Sequence, residues 1–229
     1  MYPVTTFEEN CERFTESPLI RLVLADDQEL SRQGIRSILA SAPDIEIVGE
    51  ACGGCEARQL VAQLHPDVLL LDLIMPDVRP YEVEEWVSTH YPQVTTLILT
   101  AHDRQRYLAQ AVARGVKGYL TKDQSGQQLI DAIRRAVNGE VVITDEQLQQ
   151  AAKWQREAGS RWDALTRQER LVLQHLADGK SNGQIAEALG IRIKTVESHV
   201  RSIFDTLTVH SRSEAVAWIF TNFRDGLPW

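Results

Sequence analysis

Short apolar runs and longer amphipathic stretches take turns over the first 140 residues. Leu19–Ala25 (LIRLVLA), Ile45–Val48, Val68–Leu71, Thr96–Thr100 (TLILT) and the weaker Val116–Leu120 have the length of buried strands. Between them lie Glu29–Leu39, Glu56–Leu64, Glu82–His90, Arg104–Arg114 and Gln127–Asn138, each polar on one side and apolar on the other at helical spacing. Strands apolar on both faces, alternating with helices, predict an α/β domain: a doubly wound, five-stranded parallel sheet covered by helices on both faces. In such a domain ligands bind outside the carboxyl ends of the strands.

The pattern then changes. Asp145–Ala158 (DEQLQQAAKWQREA) is polar and rich in helix formers, and Gly159-Ser160 predicts its break, so a helical linker is expected here. From Leu165 onward the spacing is purely helical. Thr166-Arg-Gln-Glu169 is a capping box before Leu171, Val172, Leu173 and Leu176, and Gly179 ends that helix. Ser181-Asn-Gly-Gln184 caps a second helix, and Gly190 turns the chain into a third, running from about Lys194 to Leu207. A fourth runs from Arg212 to about Phe220. A short helix, a tight turn and a second amphipathic helix make a helix-turn-helix.

Charge separates the same two regions. Residues 1–140 hold 13 Lys+Arg against 21 Asp+Glu, a balance of −8, whereas residues 141–229 hold 11 of each. The 229 residues suffice for two domains, and 24% charged residues fit a soluble globular chain. No apolar run is long enough for a membrane helix. The acid-bearing N-terminus is no signal peptide, which places the protein in the cytosol. Three cysteines fit a reducing compartment.

The strand ends carry the chemistry. Asp26 and Asp27 follow the first strand, Asp72 the third, Thr100 ends the fourth and Lys122 follows the fifth. Any one of them is ordinary at a strand end. Three converging carboxylates, however, repel unless their pKa values rise or a hard cation sits among them, and Mg²⁺ takes such oxygen ligands together with phosphate. That set suits phosphoryl transfer, with an Asp as nucleophile, Lys122 pairing with the phosphoryl group and the Thr100 hydroxyl donating to it.

LADDQELSRQG, VLLLDLIMPD, LILTAHD and GYLTKD together resemble the receiver domain of two-component response regulators, a CheY-like fold, over residues 19–140. LTRQERLVLQHLADGKSNGQIAEALGIRIKTVESHVRSIFDTL resembles the LuxR-type helix-turn-helix of the NarL/FixJ subfamily, an all-α four-helix domain. The expected organisation is an N-terminal extension (1–18), a receiver (19–140), a helical linker (141–160) and a DNA-binding domain (161–229). The resemblance implies that Asp72 accepts the phosphoryl group from a sensor histidine kinase. It implies a Mg²⁺ site at Asp27, Asp72 and the Ile74 carbonyl, with Asp26 orienting that site, and contacts from Thr100 and Lys122 to the phosphate. Tyr119 would be the aromatic whose rotation reports the state.

The helix from Lys194 would then enter the major groove of promoter DNA. Thr195, Ser198, Arg201 and Ser202 are placed opposite Val196, Val200 and Ile203, with Arg201 the best guanine contact. Lys180, Asn182, Lys194 and Thr195 are candidates for phosphate contacts. Relatives commonly carry Lys where Glu197 stands, and a Ser cap where Arg192 and Ile193 stand, so their base preference does not carry over. The near-neutral C-terminal part predicts weak binding by one monomer and a need for a homodimer. As an enzyme the chain would at most phosphorylate and dephosphorylate itself.

Two other readings remain at this level. In one, Arg79-Pro80 replaces the Gly-containing turn usual after Met-Pro, and the receiver serves as a phosphate-independent dimerisation module of a constitutive DNA-binding regulator. The other is a small-molecule-gated LuxR-type regulator, disfavoured by the phosphoryl-site set. Cys52-Gly-Gly-Cys55 has redox-motif spacing but no second Cys/His pair for zinc, and reads as a flexible loop. His199 reads as packing or a phosphate contact rather than a metal ligand.

Overall fold

Buried Leu, Val and Ile on both faces make the strands. The structure, a computed structural model, describes residues 18–75, 77–78, 80–101 and 105–223. β1 (Ile20–Ala25), β2 (Ile45–Ala51), β3 (Val68–Leu71), β4 (Thr95–Thr100) and β5 (Gly118–Thr121) form one sheet in the order β2-β1-β3-β4-β5. β1 pairs in parallel with β2 and with β3, and β4 pairs in parallel with β5. The first five helices are α1 (Glu29–Leu39), α2 (Gly54–Leu64), α3 (Pro80–His90), α4 (Gln105–Ala113) and α5 (Gly126–Val137). This is the expected doubly wound α/β arrangement, with element ends shifted by three residues at most. β2 runs on through Gly49, Glu50 and Ala51 because a register shift between Leu22 and Val23 lets it keep pairing with β1.

The linker departs from expectation. α6 (Asp145–Trp154) does not break at Gly159. It passes through a π-helical segment, Gln155–Gly159, into α7 (Ser160–Ala164). A Cβ at Gly159 would lie 2.6 Å from Gln155 Oε1 and 2.9 Å from the Trp154 ring, so the bare glycine makes room for the wider turn. Here glycine marks close approach rather than a helix end.

The remaining helices are α8 (Arg167–Ala177), α9 (Asn182–Leu189), α10 (Ile193–Leu207) and α11 (Arg212–Phe223). Both expected capping boxes are formed, Thr166 with Glu169 and Ser181 with Gln184. Gly190, at φ 67°, supplies the left-handed cap between α9 and α10. Arg192 provides no side-chain cap for α10.

The chain divides into two compact units. One runs to Thr96 and takes in Gln124–Glu140; the other comprises Leu97–Asp123 and the chain from Val141. The first has its core in β1, β3, α1, α2 and α5. In the second, α4 packs on α6, and Gln147 ties the start of α6 to β5. Its Oε1 accepts from the Thr144 backbone in α6's capping box (2.9 Å), while its Nε2 donates to the Tyr119 carbonyl of β5 (3.1 Å). Gln147→Glu preserves the box and removes the donor, setting a carboxylate against a carbonyl. The expected loss is about 1–2 kcal/mol in chemical denaturation; an unchanged midpoint would show that the bond contributes nothing.

Candidate functional site

The parallel registers bring Asp26 and Asp72 together. Ala25 lies opposite Leu71, so the residues that leave β1 and β3 emerge side by side at the carboxyl edge. Backbone bonds hold both ends: Asp26 N–H donates to the Ala51 carbonyl (3.0 Å) and Asp72 N–H to the Ala25 carbonyl (2.8 Å). Asp26 and Asp72 are buried and Asp27 is exposed. One ligand oxygen from each of the three lies within 4.8 Å of the others. Asp26 is oriented from both sides, its Oδ1 accepting from Gln28 N–H (2.9 Å) and its Oδ2 from the Ser31 hydroxyl (2.6 Å). Ile74 N–H reaches Asp72 Oδ1 at 3.4 Å, and Ile74 lies at the surface. A cluster of hard oxygens, one of them open to solvent, has the donor chemistry of a Mg²⁺ site.

Within the second unit, Thr100 closes β4 opposite Thr121, and Lys122 N–H donates to the Thr100 carbonyl (2.8 Å). Thr100 is fully buried, and Tyr119 is among the largest buried side chains. Of the Arg79-Pro80 pair that stands in place of the Gly-containing turn, Arg79 lies outside the described residues and Pro80 opens α3.

A clamp on the first unit carried no sequence signal. The Asp77 carboxylate accepts from the N–H groups of Gly54 (2.7 Å), Cys55 (2.9 Å) and Val78 (2.8 Å). Those bonds, Cys55's first, pull its pKa down to about 2. Gly53 and Gly54 are packing positions, since a Cβ would come within 2.8 Å of the Asp77 carboxylate and of Val78 and Val83. The Cys52 and Cys55 thiols are free and exposed. Hydrogen bonds to Glu56 and Asp77, respectively, raise their pKa values, which suppresses the thiolate that redox chemistry needs.

On α10, Val196, Ile203 and Leu207 are buried, while Lys194, Thr195, Glu197, Ser198 and Arg201 are exposed. Ser202 differs from expectation: it is half-buried and hydrogen-bonds the buried Glu169 of α8, so its hydroxyl is turned toward the bundle. At 100° per residue it sits beside the buried stripe rather than opposite it. His199 is half-buried and lies near Glu169 as well. Asn182 and Lys180 are half-buried, with Lys180 Nζ 3.0 Å from His175 Nδ1.

Burial raises the Glu169 pKa, but bonds from Ser202 and from the Thr166 backbone and hydroxyl outweigh it and leave the value lowered. Its contribution to stability is therefore present above the unfolded value of about 4.3 and is lost as pH falls through the lower folded value. Glu169→Gln keeps the capping geometry and should flatten the stability of this unit between about pH 5 and pH 3. An acid sensitivity equal to that of the native chain would contradict this.

A parallel α/β sheet with an acid cluster at its carboxyl edge, followed by a helix-turn-helix bundle, defines a two-part regulator of receiver type. The chain belongs to the response-regulator family: residues 22–134 match the response regulator receiver domain, and residues 163–219 match the luxR family of bacterial regulatory proteins. Response regulator protein VraR of Staphylococcus aureus is 35% identical over 201 residues, covering 88% of this chain and 96% of VraR. Response regulator ChrA of a heme-sensing two-component system is 31% identical, with TM-score 0.55, over 90% of this chain and 98% of ChrA. RcsB of Salmonella typhimurium shares the fold at TM-score 0.61 and 22% identity, over 87% of this chain and 98% of RcsB. Among the described residues no helix is long and apolar enough to cross a membrane.

Proposed function

We propose that this chain is a transcription regulator whose affinity for promoter DNA is switched by phosphorylation of Asp72 by a partner histidine kinase. The observation that carries the reading is the cluster of Asp26, Asp27 and Asp72, joined in one chain to a luxR-family helix-turn-helix. The division is that of the sequence: extension 1–18, receiver 19–140, linker 141–160 and DNA-binding domain 161–229.

An Asp72 oxygen attacks the phosphorus of the donor phosphohistidine. The new P–O bond forms as the donor's P–N bond breaks, and the imidazole leaves with a proton. Asp26, held by Gln28 and Ser31, aligns the acid cluster. Asp27, Asp72 and the Ile74 carbonyl, oriented by Asp26, would hold a Mg²⁺ ion, which would supply neutralisation of phosphoryl charge. Lys122 pairs with the phosphoryl oxygens and the Thr100 hydroxyl donates to them. Both groups sit at β-strand ends, and a shift there acts on buried Tyr119 and, through its carbonyl, on Gln147 of α6. A structure of RcsB has been described in complex with DNA. By that analogy α10 enters the major groove, with Arg201, Ser198 and Glu197 toward base edges and Lys180, Asn182, Lys194 and Thr195 toward phosphates. Ser202 has no part in this assignment. A homodimer brings two α10 helices to half-sites about one helical turn apart. The setting is cytoplasmic, and turnover is limited to the chain's own phosphoryl group.

Beryllofluoride with Mg²⁺ tests the switch. Uptake should require Mg²⁺, convert monomer to dimer in sedimentation and tighten DNA retention. DNA retention indifferent to beryllofluoride would overturn the switch and leave a constitutive regulator.

A further inference from the structure

We infer that Glu197 sets the base preference of α10 by accepting a hydrogen bond from cytosine N4, with Arg201 taking a nearby guanine. The inference rests on the DNA-binding reading above and adds the class of sequence recognised.

The burial of Val196, Ile203 and Leu207 fixes the inner side of α10. Lys194, Glu197, Ser198, Arg201 and Asp205 are exposed and form one stripe along the outer side. Two of these are cations and two are anions, so the stripe is neutral. A helix held to DNA by phosphates alone needs excess cations. A neutral stripe in the groove must draw its energy from base edges instead. Neither the Glu197 nor the Arg201 side chain enters an ion pair or hydrogen bond within the described residues, so both are available.

Chemistry then narrows the choice. A carboxylate only accepts. In the major groove guanine shows two acceptors, thymine an acceptor and a methyl group, and adenine a donor beside an acceptor. Cytosine alone offers its N4 donor without an acceptor of its own to repel the carboxylate. A guanidinium is the complement, matching guanine O6 and N7. Residues four apart share a helix face and are separated by about 6 Å along the axis. At roughly 3.4 Å per base step, the two bases lie within about two steps of one another.

The test is selection from randomised duplex DNA by the full chain activated with beryllofluoride, using native protein, Glu197→Gln, Glu197→Ala and Arg201→Ala. The native chain should favour a C·G pair at one position of each half-site by roughly tenfold or more. Glu197→Gln should move that preference to adenine, whose N6 and N7 match the amide. Glu197→Ala should flatten that position alone and leave the salt dependence of binding unchanged, because no phosphate contact is lost. Arg201→Ala should flatten the guanine position. Unaltered preference in both Glu197 variants, with DNA still retained, would overturn the inference and spare the DNA-binding reading. Failure of every form, native included, to retain DNA would overturn both.

Discussion

Asp72→Asn takes incorporation of phosphate from acetyl phosphate to background, while leaving the fold and basal DNA retention in place. Asn keeps the shape of Asp but has no anionic oxygen to form the acyl phosphate. The backbone around it is fixed independently of the side chain, through the bond from Asp72 N–H to the Ala25 carbonyl and the β1–β3 register. The substitution also removes one charge from a crowded cluster of three acids, so thermal stability should hold or rise. Labelling followed by electrophoresis, with melting curves beside it, separates chemistry from folding. Labelling that persists in a folded Asp72→Asn protein would move the acceptor to another carboxylate and remove the basis of the switch.

Phe223→Ala should cost roughly 3–5 kcal/mol of stability in the second unit. Phe223 is buried at the end of α11, where its ring lies 4.5 Å from Trp162, 5.6 Å from Trp218 and 6.2 Å from Trp154, centroid to centroid. The Arg106 guanidinium of α4 sits 5.2 Å above the same ring and 4.4 Å from that of Tyr107. Truncation leaves a cavity among three indoles and strips a mostly buried cation of one aromatic face. Phe223→Leu, which fills most of the space, should cost less than about 1.5 kcal/mol. Chemical denaturation followed by tryptophan fluorescence reads both variants. Equal midpoints for Phe223→Ala and the native chain would mean that α11 contributes little to this core.

Much of the site was legible from residue type and strand position. Asp26, Asp27 and Asp72 are polar interruptions directly after apolar runs, and parallel pairing carries such positions to one edge. The capping boxes at Thr166 and Ser181 were equally plain, because a cap acts within one turn of chain. Ser202 was not legible. Its place on α10 follows from periodicity, but the direction of its hydroxyl depends on Glu169, which lies 33 residues earlier on α8. The Asp77 clamp escaped for the same reason, since its partners Gly54 and Cys55 belong to another element.

The sequence by itself determined the alternation of strands and helices, the acids at the strand ends, the helix-turn-helix and its caps. All of these follow from hydrophobic period and from hydrogen bonds made within a few residues. Only the tertiary structure decided that the linker helix runs on through Gly159, that Gln147 bonds the Tyr119 carbonyl and that Ser202 faces inward. Those outcomes depend on which atoms from distant parts of the chain compete for the same space or the same donor, and no local pattern records that competition.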